Sequence, residues 1–406
     1  MAWTRRKAVF LVGAALMAAQ AQGQAQAQAS AQPIKVGVLA PLTGGASDIG
    51  NPMLNGMRLA VDAFNATGGY LGRRIELVVK DDQSLPDVGR QQAQAMVEEG
   101  VVAVMGLGTT GVAMRTIDVF QTAGVPVIVA SATGTAITRG AASMPDSVVF
   151  RVSARDDMQI PFAVADLKRR RIQRIAAFVD NSGYGNAGLV DLRQALMGTD
   201  IQLVHLSRFD NGVKDLGAEV LKARNAGAQA IFSITLGREN AVLAKARAAL
   251  GWNVLHIGPW TLSLPLYLEG AREAAEGTLM VQTFIAEPTN EWRTRFLNSY
   301  RAVYKVDDIP NVMVAAQGFD AANLIGQAIL RIPHGKPLTR AAIKQALETN
   351  ERAYYGVVTS YKRPFDATDK DAVSPNMLFL GRVQNGRITF AYAEDAQRNA
   401  LVETKR

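Results

Sequence analysis

Between Met105 and Met114 the chain reads MGLGTTGVAM, in which Gly106, Gly108 and Gly111 form a G-x-G-x-x-G. The apolar run 101–105 precedes the motif and a helix-like stretch follows it, the spelling of a dinucleotide fingerprint. Dinucleotide binding also needs an Asp or Glu after the next strand, about 20 residues on, to hold a ribose hydroxyl. Here the next strand is VPVIVA, and Ser131-Ala132-Thr133-Gly134-Thr135 follows it without an acid. The motif also comes after the third strand-like run instead of the first. What survives is the geometry: small residues at a strand end let backbone N–H groups face outward at a helix N-terminus, which favours an anion. Thr109 and Thr110 add hydroxyl donors, and Ser131 and Thr133 add more one strand later. Two such loops at the carboxyl edge of a parallel sheet cradle a small polar head group, typically a carboxylate. Each charge-assisted bond to it contributes about 1.5–3 kcal/mol. Helix capping is the alternative use of the same hydroxyls.

Other reactive constellations are absent from the sequence. His205 and His256 fall inside strand patterns and His334 lies in IPHGKP, so none pairs at metal-ligand spacing. There is no H-E-x-x-H, P-loop or G-x-S-x-G. Asp81 and Asp82 look like a carboxylate pair, but neighbours on a strand point to opposite faces. Hydrogen bonding to the following loops is the better reading of both. The expectation is a binding protein with no catalytic residue, cofactor or metal.

These loops need a scaffold, and from Pro33 short β-rich runs alternate with helical patterns. The first series is IKVGVLA, a helix from about Met53 to Thr67, RIELVVKDD, a helix over 87–99, VVAVMG, a helix over 112–123, and VPVIVAS. After VVFRVSARDD the pattern restarts: helix to Arg171, RIAAFVD, helix 186–197, IQLVHLSRF, helix 214–225, QAIFSIT, helix 239–250, NVLHIGP. Near-continuous apolar strands imply burial on both faces, hence α/β architecture with two doubly wound parallel-sheet lobes. The remainder is helix-rich (291–305, 312–331, 338–348) and ends in a run where Asn385-Gly386 signals a type I′ hairpin. Gly68 and Gly69 stand just past a helix end, and Pro86-Asp87 where another begins.

The 406 residues suffice for two domains. The N-terminus places Arg5, Arg6 and Lys7 before an apolar stretch too short to anchor in a bilayer, then small-residue sites, as in a secretory signal peptide. Cleavage after Ala21 or at a later Ala-Gln-Ala fits; residues beyond the Arg5-Arg6 pair fit twin-arginine export poorly. Residues 1–32 are thus signal peptide plus low-complexity leader. The chain has no cysteine, so neither a disulfide nor an N-terminal lipid anchor is available, and a soluble periplasmic protein is expected. Of the net charge of +8, three positive charges lie in the signal peptide. The densest basic patch, LKRRRIQR (167–174), reads as a solvated face, and no nucleic-acid partner is expected.

The chain resembles periplasmic substrate-binding proteins of ABC importers in the leucine/isoleucine/valine-binding family, from Ile34 to about Phe390. The matching stretches include IKVGVLAPLTG, NGMRLAVDAFNATGGYLGRRIELVVKDDQS, VPVIVASATGTAITRG, VFRVSARDDMQ and VDNSGYGNAG. The resemblance implies a type I periplasmic binding fold with three crossovers, near Ser153, Phe284 and Ser360. Lobe 1 would comprise 33–152 and 284–359, and lobe 2 would comprise 153–283 and 360–400. Hinge closure around a small carboxylate ligand would present the closed form to permease subunits, the binding protein itself being a monomer. Carried over by motif, Thr110 meets the ligand carboxylate with Thr109 beside it. Ser131, Ala132 and Thr133 form the loop at its polar end, Ile49 touches its side chain, and Tyr184 closes from the second lobe. Ser84 and Thr109 replace the family's disulfide cysteines.

One departure concerns specificity. The resemblance implies a second-lobe carboxylate opposite an amino-acid ammonium, but this chain has Trp260 there and Leu236 where a tyrosine is expected. An ammonium buried without a counter-charge costs several kcal/mol. An indole instead offers about 150–250 Å² to bury, roughly 4–6 kcal/mol gross at ~25 cal/mol per Å². A hydrophobic or aromatic organic acid is expected. Glu239 or Asp48 reaching an ammonium keeps a branched-chain amino acid open, and a periplasmic sensor shares the same features.

Overall fold

The computed structural model describes residues 32–400 and Lys405, except Ser143, Pro145 and Pro288; the expected signal peptide and leader lie outside them, apart from Gln32. The first series comprises β1 (Ile34–Ala40), α1 (Ser47–Ala66), β2 (Ile75–Asp81), α2 (Pro86–Glu98) and β3 (Ala103–Gly106). It continues through α3 (Thr110–Thr122), β4 (Val127–Val129), α4 (Ala136–Ala142) and β5 (Val149–Arg151). Its five strands are all parallel, in the order β2-β1-β3-β4-β5.

The second series comprises α5 (Asp156–Arg169), β6 (Arg174–Asp180), α6 (Gly183–Leu196), β7 (Gln202–Phe209), α7 (Gly217–Asn225) and β8 (Ala230–Ile234). There follow α8 (Gly237–Ala249), β9 (Leu255–Gly258), a 3₁₀ turn (Trp260–Ser263), α9 (Pro265–Ala271) and β10 (Leu279–Gln282). Three helices come next, α10 (Glu291–Tyr304), α11 (Val312–Leu330) and α12 (Arg340–Glu348), then the short pair β11 (Tyr354–Tyr355) and β12 (Ser360–Tyr361). The hairpin β13 (Phe379–Gln384) and β14 (Arg387–Phe390) and helix α13 (Ala393–Ala400) close the described chain. The second sheet runs β14-β13-β10-β9-β8-β6-β7, with β13 and β14 antiparallel. Asn385 (φ 51°) and Gly386 (φ 71°) turn the hairpin between the paired Gln384 and Arg387, the left-handed pair that a type I′ turn requires.

Helix α1 begins six residues before the expected Met53. Pro52 lies inside it and has no N–H for the carbonyl of Asp48 one turn back. Asn311 Nδ2 donates to that carbonyl instead, at 3.1 Å, so the proline is accommodated and Ile49 lies in the helix's first turn. Helices α1 and α11 then approach backbone to backbone: a Cβ at Gly56 would lie 2.0 Å from Ala315 O, and one at Gly318 2.3 Å from Met53 O. The largest buried apolar cluster crosses the lobe junction, joining Ile49, Met53 and Met313 to Trp260, Leu262 and Leu264.

The first two passages between sheets follow β5 and β10. The third falls later than the expected Ser360. Tyr361 Oη donates to Asp320 of α11, the tilted rings of Phe365 and Phe150 pack with centroids 4.9 Å apart, and the backbone of 370–372 pairs with Arg151. Residues 360–372 therefore stay with the first sheet, held by the buried Arg151–Asp371 ion pair at 2.8 Å, and the chain changes sheet between Ala372 and Phe379. Asp320 anchors this strap: it accepts from Val357 N and Val358 N, both at 2.8 Å, and from Tyr361 Oη at 2.9 Å, while burial pushes its carboxyl up to about 7. Asp320→Ala strands three buried donors and is expected to lower unfolding free energy by about 3 kcal/mol, read by urea denaturation.

Candidate functional site

In parallel α/β sheets, ligands lie beyond the carboxyl ends of the strands. Both sheets here turn those ends toward one cleft, a cavity of about 730 Å³. From the first lobe it is lined by the loops after β1 (Thr43, Gly44, Gly45), β2 (Gln83, Ser84, Leu85), β3 (Gly108, Thr109) and β4 (Ala132, Thr133). From the second come Ser182 and Tyr184 after β6, Asn211 after β7, Leu236 after β8, and Trp260 and Thr261 after β9.

Of the nine residues singled out in the sequence, the cavity brings together Ile49, Thr109, Thr110, Ala132, Thr133, Tyr184, Leu236 and Trp260. Ser131 is not among its lining residues. It lies in a small adjoining chamber shared with Thr133, Gln159, Trp260 and Gln317, and its hydroxyl has no partner among the described residues. The sequence reading did not pick out Gln83, Ser182, Asn211 or Thr261; each immediately follows a strand end or its turn, which is the one signal available for it.

The glycines of the G-x-G-x-x-G serve packing. A Cβ at Gly106 (φ 126°) would lie 2.3 Å from Leu39 O, and one at Gly108 2.6 Å from the Pro41 ring, so both let the β1 and β3 ends close up. Neither threonine hydroxyl caps α3. Thr110 Oγ1 accepts from Gly134 N at 3.1 Å, which ties the β3 loop to the β4 loop and leaves the hydroxyl proton for the cleft. Asp81 fixes the neighbouring loops by accepting from Leu42 N, Thr43 N, Thr43 Oγ1 and Gln83 N. Burial pushes its carboxyl up, but the bonds from Thr43, Gln83 and Leu42 outweigh that and hold it below the ordinary aspartate value. Asp82 accepts from Ser84 N at 2.8 Å, and burial pushes it up to about 7.

On the second lobe Ser182 caps α6, accepting from Tyr184 N and Gly185 N. The Tyr184 phenol reaches Thr261 Oγ1 at 3.5 Å, and burial raises its pKa well above the ordinary value, so it remains a neutral donor. Trp260 is held through its backbone, where Gln159 Oε1 accepts from Trp260 N at 3.1 Å and Ser263 Oγ donates to Trp260 O at 2.8 Å. Its indole Nε1 is buried with no partner among the described residues.

Among the described residues no ionised side chain lines the cavity. Glu239 is buried and accepts from Gly212 N at 2.8 Å. Asp48 accepts from Leu266 N of the second lobe at 3.3 Å, and burial pushes it up to about 6. Asp156 and Asp180 stand behind the lining, both pushed up by burial, Asp156 to about 7. The N-termini of α2, α3, α6 and α8, by contrast, all end at the cavity wall through Pro86, Thr110, Tyr184 and Leu236. Helix N-termini carry partial positive charge, so four such ends meet one wall; Ser182 takes up two first-turn N–H groups of α6, and the first-turn acids of α2 and α8, Asp87 and Glu239, are not among the lining residues. Among the described residues no group of His, Cys, Asp and Glu could hold a metal, and no helix is long and apolar enough to cross a membrane.

Thr110→Val leaves Gly134 N without its acceptor and is expected to destabilise the protein without added solute by about 1–2 kcal/mol, with Thr110→Ser close to wild type in urea denaturation.

Comparison with known proteins agrees with this architecture. Residues 33–387 match the periplasmic binding protein family. Leu/Ile/Val-binding protein homolog 3 of Brucella melitensis biotype 1 is 34% identical over 250 residues, covering 61% of this chain and 66% of that protein. The chain thus spans just under two-thirds of that relative's length. A type 1 periplasmic binding protein from Bordetella pertussis Tohama I superposes with a TM-score of 0.80 at 25% identity, covering 88% of this chain and 99% of that one. An ABC-transporter solute-binding protein from R. palustris, solved in complex with benzoate, superposes with a TM-score of 0.77 at 20% identity, covering 88% and 95%. The two-sheet α/β fold is that of the type I periplasmic binding proteins, and the chain belongs to the periplasmic binding protein family, whose members bind solutes and are not enzymes.

Proposed function

We propose that this chain is the solute-binding component of an ABC importer of the branched-chain amino acid type, and that its ligand is a hydrophobic or aromatic carboxylic acid. The observation that carries the ligand class is the cavity lining: helix N-termini and hydroxyls on the polar side, Trp260, Tyr184, Leu236 and Ile49 on the apolar side, and no ionised side chain. A carboxylate is favoured by the converging helix ends and by charge-assisted bonds from Thr110 and its neighbours. An α-ammonium would meet those same positive ends with no counter-charge, which costs several kcal/mol. Glu239 and Asp48, the acids nearest in sequence to that role, are engaged with backbone N–H groups outside the lining. Both a Leu/Ile/Val-binding homologue and a benzoate complex occur among the similar proteins, so fold likeness leaves the ligand open and the lining supports the acid. The basic-then-apolar start of the sequence supports export to the periplasm, where a monomer closing on its ligand would be read by permease subunits.

Isothermal titration calorimetry with benzoate, phenylpropanoid acids, L-leucine and L-valine tests the reading. An aromatic acid is expected to bind and the amino acids not; micromolar binding confined to leucine or valine overturns the ligand class. Trp260→Ala is expected to weaken the aromatic acid about 30-fold or more, the loss of a buried aromatic anchor worth 2 kcal/mol or above.

A further inference from the structure

The loop that follows β4 presents Ala132 and Thr133 to the cavity, and its far end holds the second lobe. Thr135 Oγ1 donates to Asp191 Oδ2 at 2.7 Å and accepts from Asp157 N at 3.0 Å. Thr133 O accepts from Asp156 N at 2.9 Å beside it. Asp191 lies on α6 seven residues after Tyr184, two helical turns on and therefore on the same face. That one face meets the first lobe throughout: Gly183 rests on Gly111, where a Cβ would come within 3.1 Å of Gly111 Cα, Tyr184 enters the cavity, and Asp191 reaches Thr135.

Asp191 is half-buried, and burial pushes its carboxyl up. The two nearby guanidinium groups pair elsewhere, Arg139 with Asp157 and Arg155 with Asp157 and Asp371. Among the described residues Thr135 is the one side-chain donor bonded to Asp191. Docking α6 thus takes a carboxylate out of water, and a hydroxyl from the ligand-facing loop replaces the lost hydrogen bond.

We propose that Thr135 is a positioning residue for closure: by bonding Asp191 it fixes α6 against the first lobe and holds Tyr184 over the ligand. The inference rests on reading the cleft as one that closes around a solute. Because the chain has no cysteine, Glu98→Cys and Met197→Cys, exposed positions on opposite lobes, accept spin labels selectively. Electron–electron double resonance then measures the closed-to-open ratio without additive, with millimolar benzoate, and with millimolar L-leucine. Thr135→Val is expected to lower that ratio about tenfold, as loss of a charge-assisted bond implies. Thr135→Ser restores it, and in an Asp191→Ala background Thr135→Val loses most of its effect. Circular dichroism melts verify each fold, and Thr135→Ser with Asp191→Ala carries the comparison should Thr135→Val fail to fold. A wild-type ratio in Thr135→Val, a full drop persisting in Asp191→Ala, or a wild-type protein never closed overturns the proposal. A shift in the ratio by Thr135→Val when neither benzoate nor leucine binds leaves the latch standing and rejects the ligand reading alone.

Discussion

Four helices begin at the wall of one cleft, so the positive ends of four helix dipoles meet there. Each belongs to a strand-turn-helix unit whose strand ends in the same place, so the partial charge follows from the parallel topology itself. Among the described residues no ionised side chain lines the cavity, although Asp87 and Glu239 stand in the first turns of α2 and α8. For the proposed acid, the fold would supply the preference for the charged end and the side chains would decide what is attached to it.

Close backbone approach makes this convergence possible. Gly106 and Gly108 let the β1 and β3 ends meet, and the Thr110–Gly134 bond ties the next loop to them. Gly56 and Gly318 do the same for α1 and α11, which places Ile49 at the edge of the cavity. The glycine spelling that suggests a nucleotide is here a requirement of packing between neighbouring strand ends. A phosphate-binding loop and this one share that backbone need.

Much of the fold is legible in the chain because buried parallel strands read as uninterrupted apolar runs, and both series appear in order with their connecting helices. Eight of the nine residues singled out in the sequence line the cavity for a related reason: strand ends are easy to find, and strand ends make the cleft. Three features were hidden. Helix α1 looks shorter than it is because nothing local announces Asn311, 263 positions from Asp48, as the donor to the carbonyl that Pro52 leaves without a helical partner. The third passage between lobes looks earlier than it is because Arg151, Lys370 and Asp371 have the composition of surface residues but are buried together. Ser131 carries the right hydroxyl in the right loop yet falls one position behind the wall, a difference of orientation that composition does not record.

The division of polar groups between cavity and junction also bears on how the two lobes communicate. Charged side chains are excluded from the lining but recur around it, in Asp48 against the α9 N-terminus and Asp191 against Thr135. A ligand in the proposed site would therefore exchange hydrogen bonds with hydroxyls and backbone amides, while carboxylates at the rim would exchange water for contacts with the opposite lobe. The two exchanges are linked through short segments, since Thr133 and Thr135 are two residues apart on one loop and Tyr184 and Asp191 share one helical face. In the proposed closure, a solute that orders the loop at Thr133 would order Thr135 with it and hold Tyr184 in place.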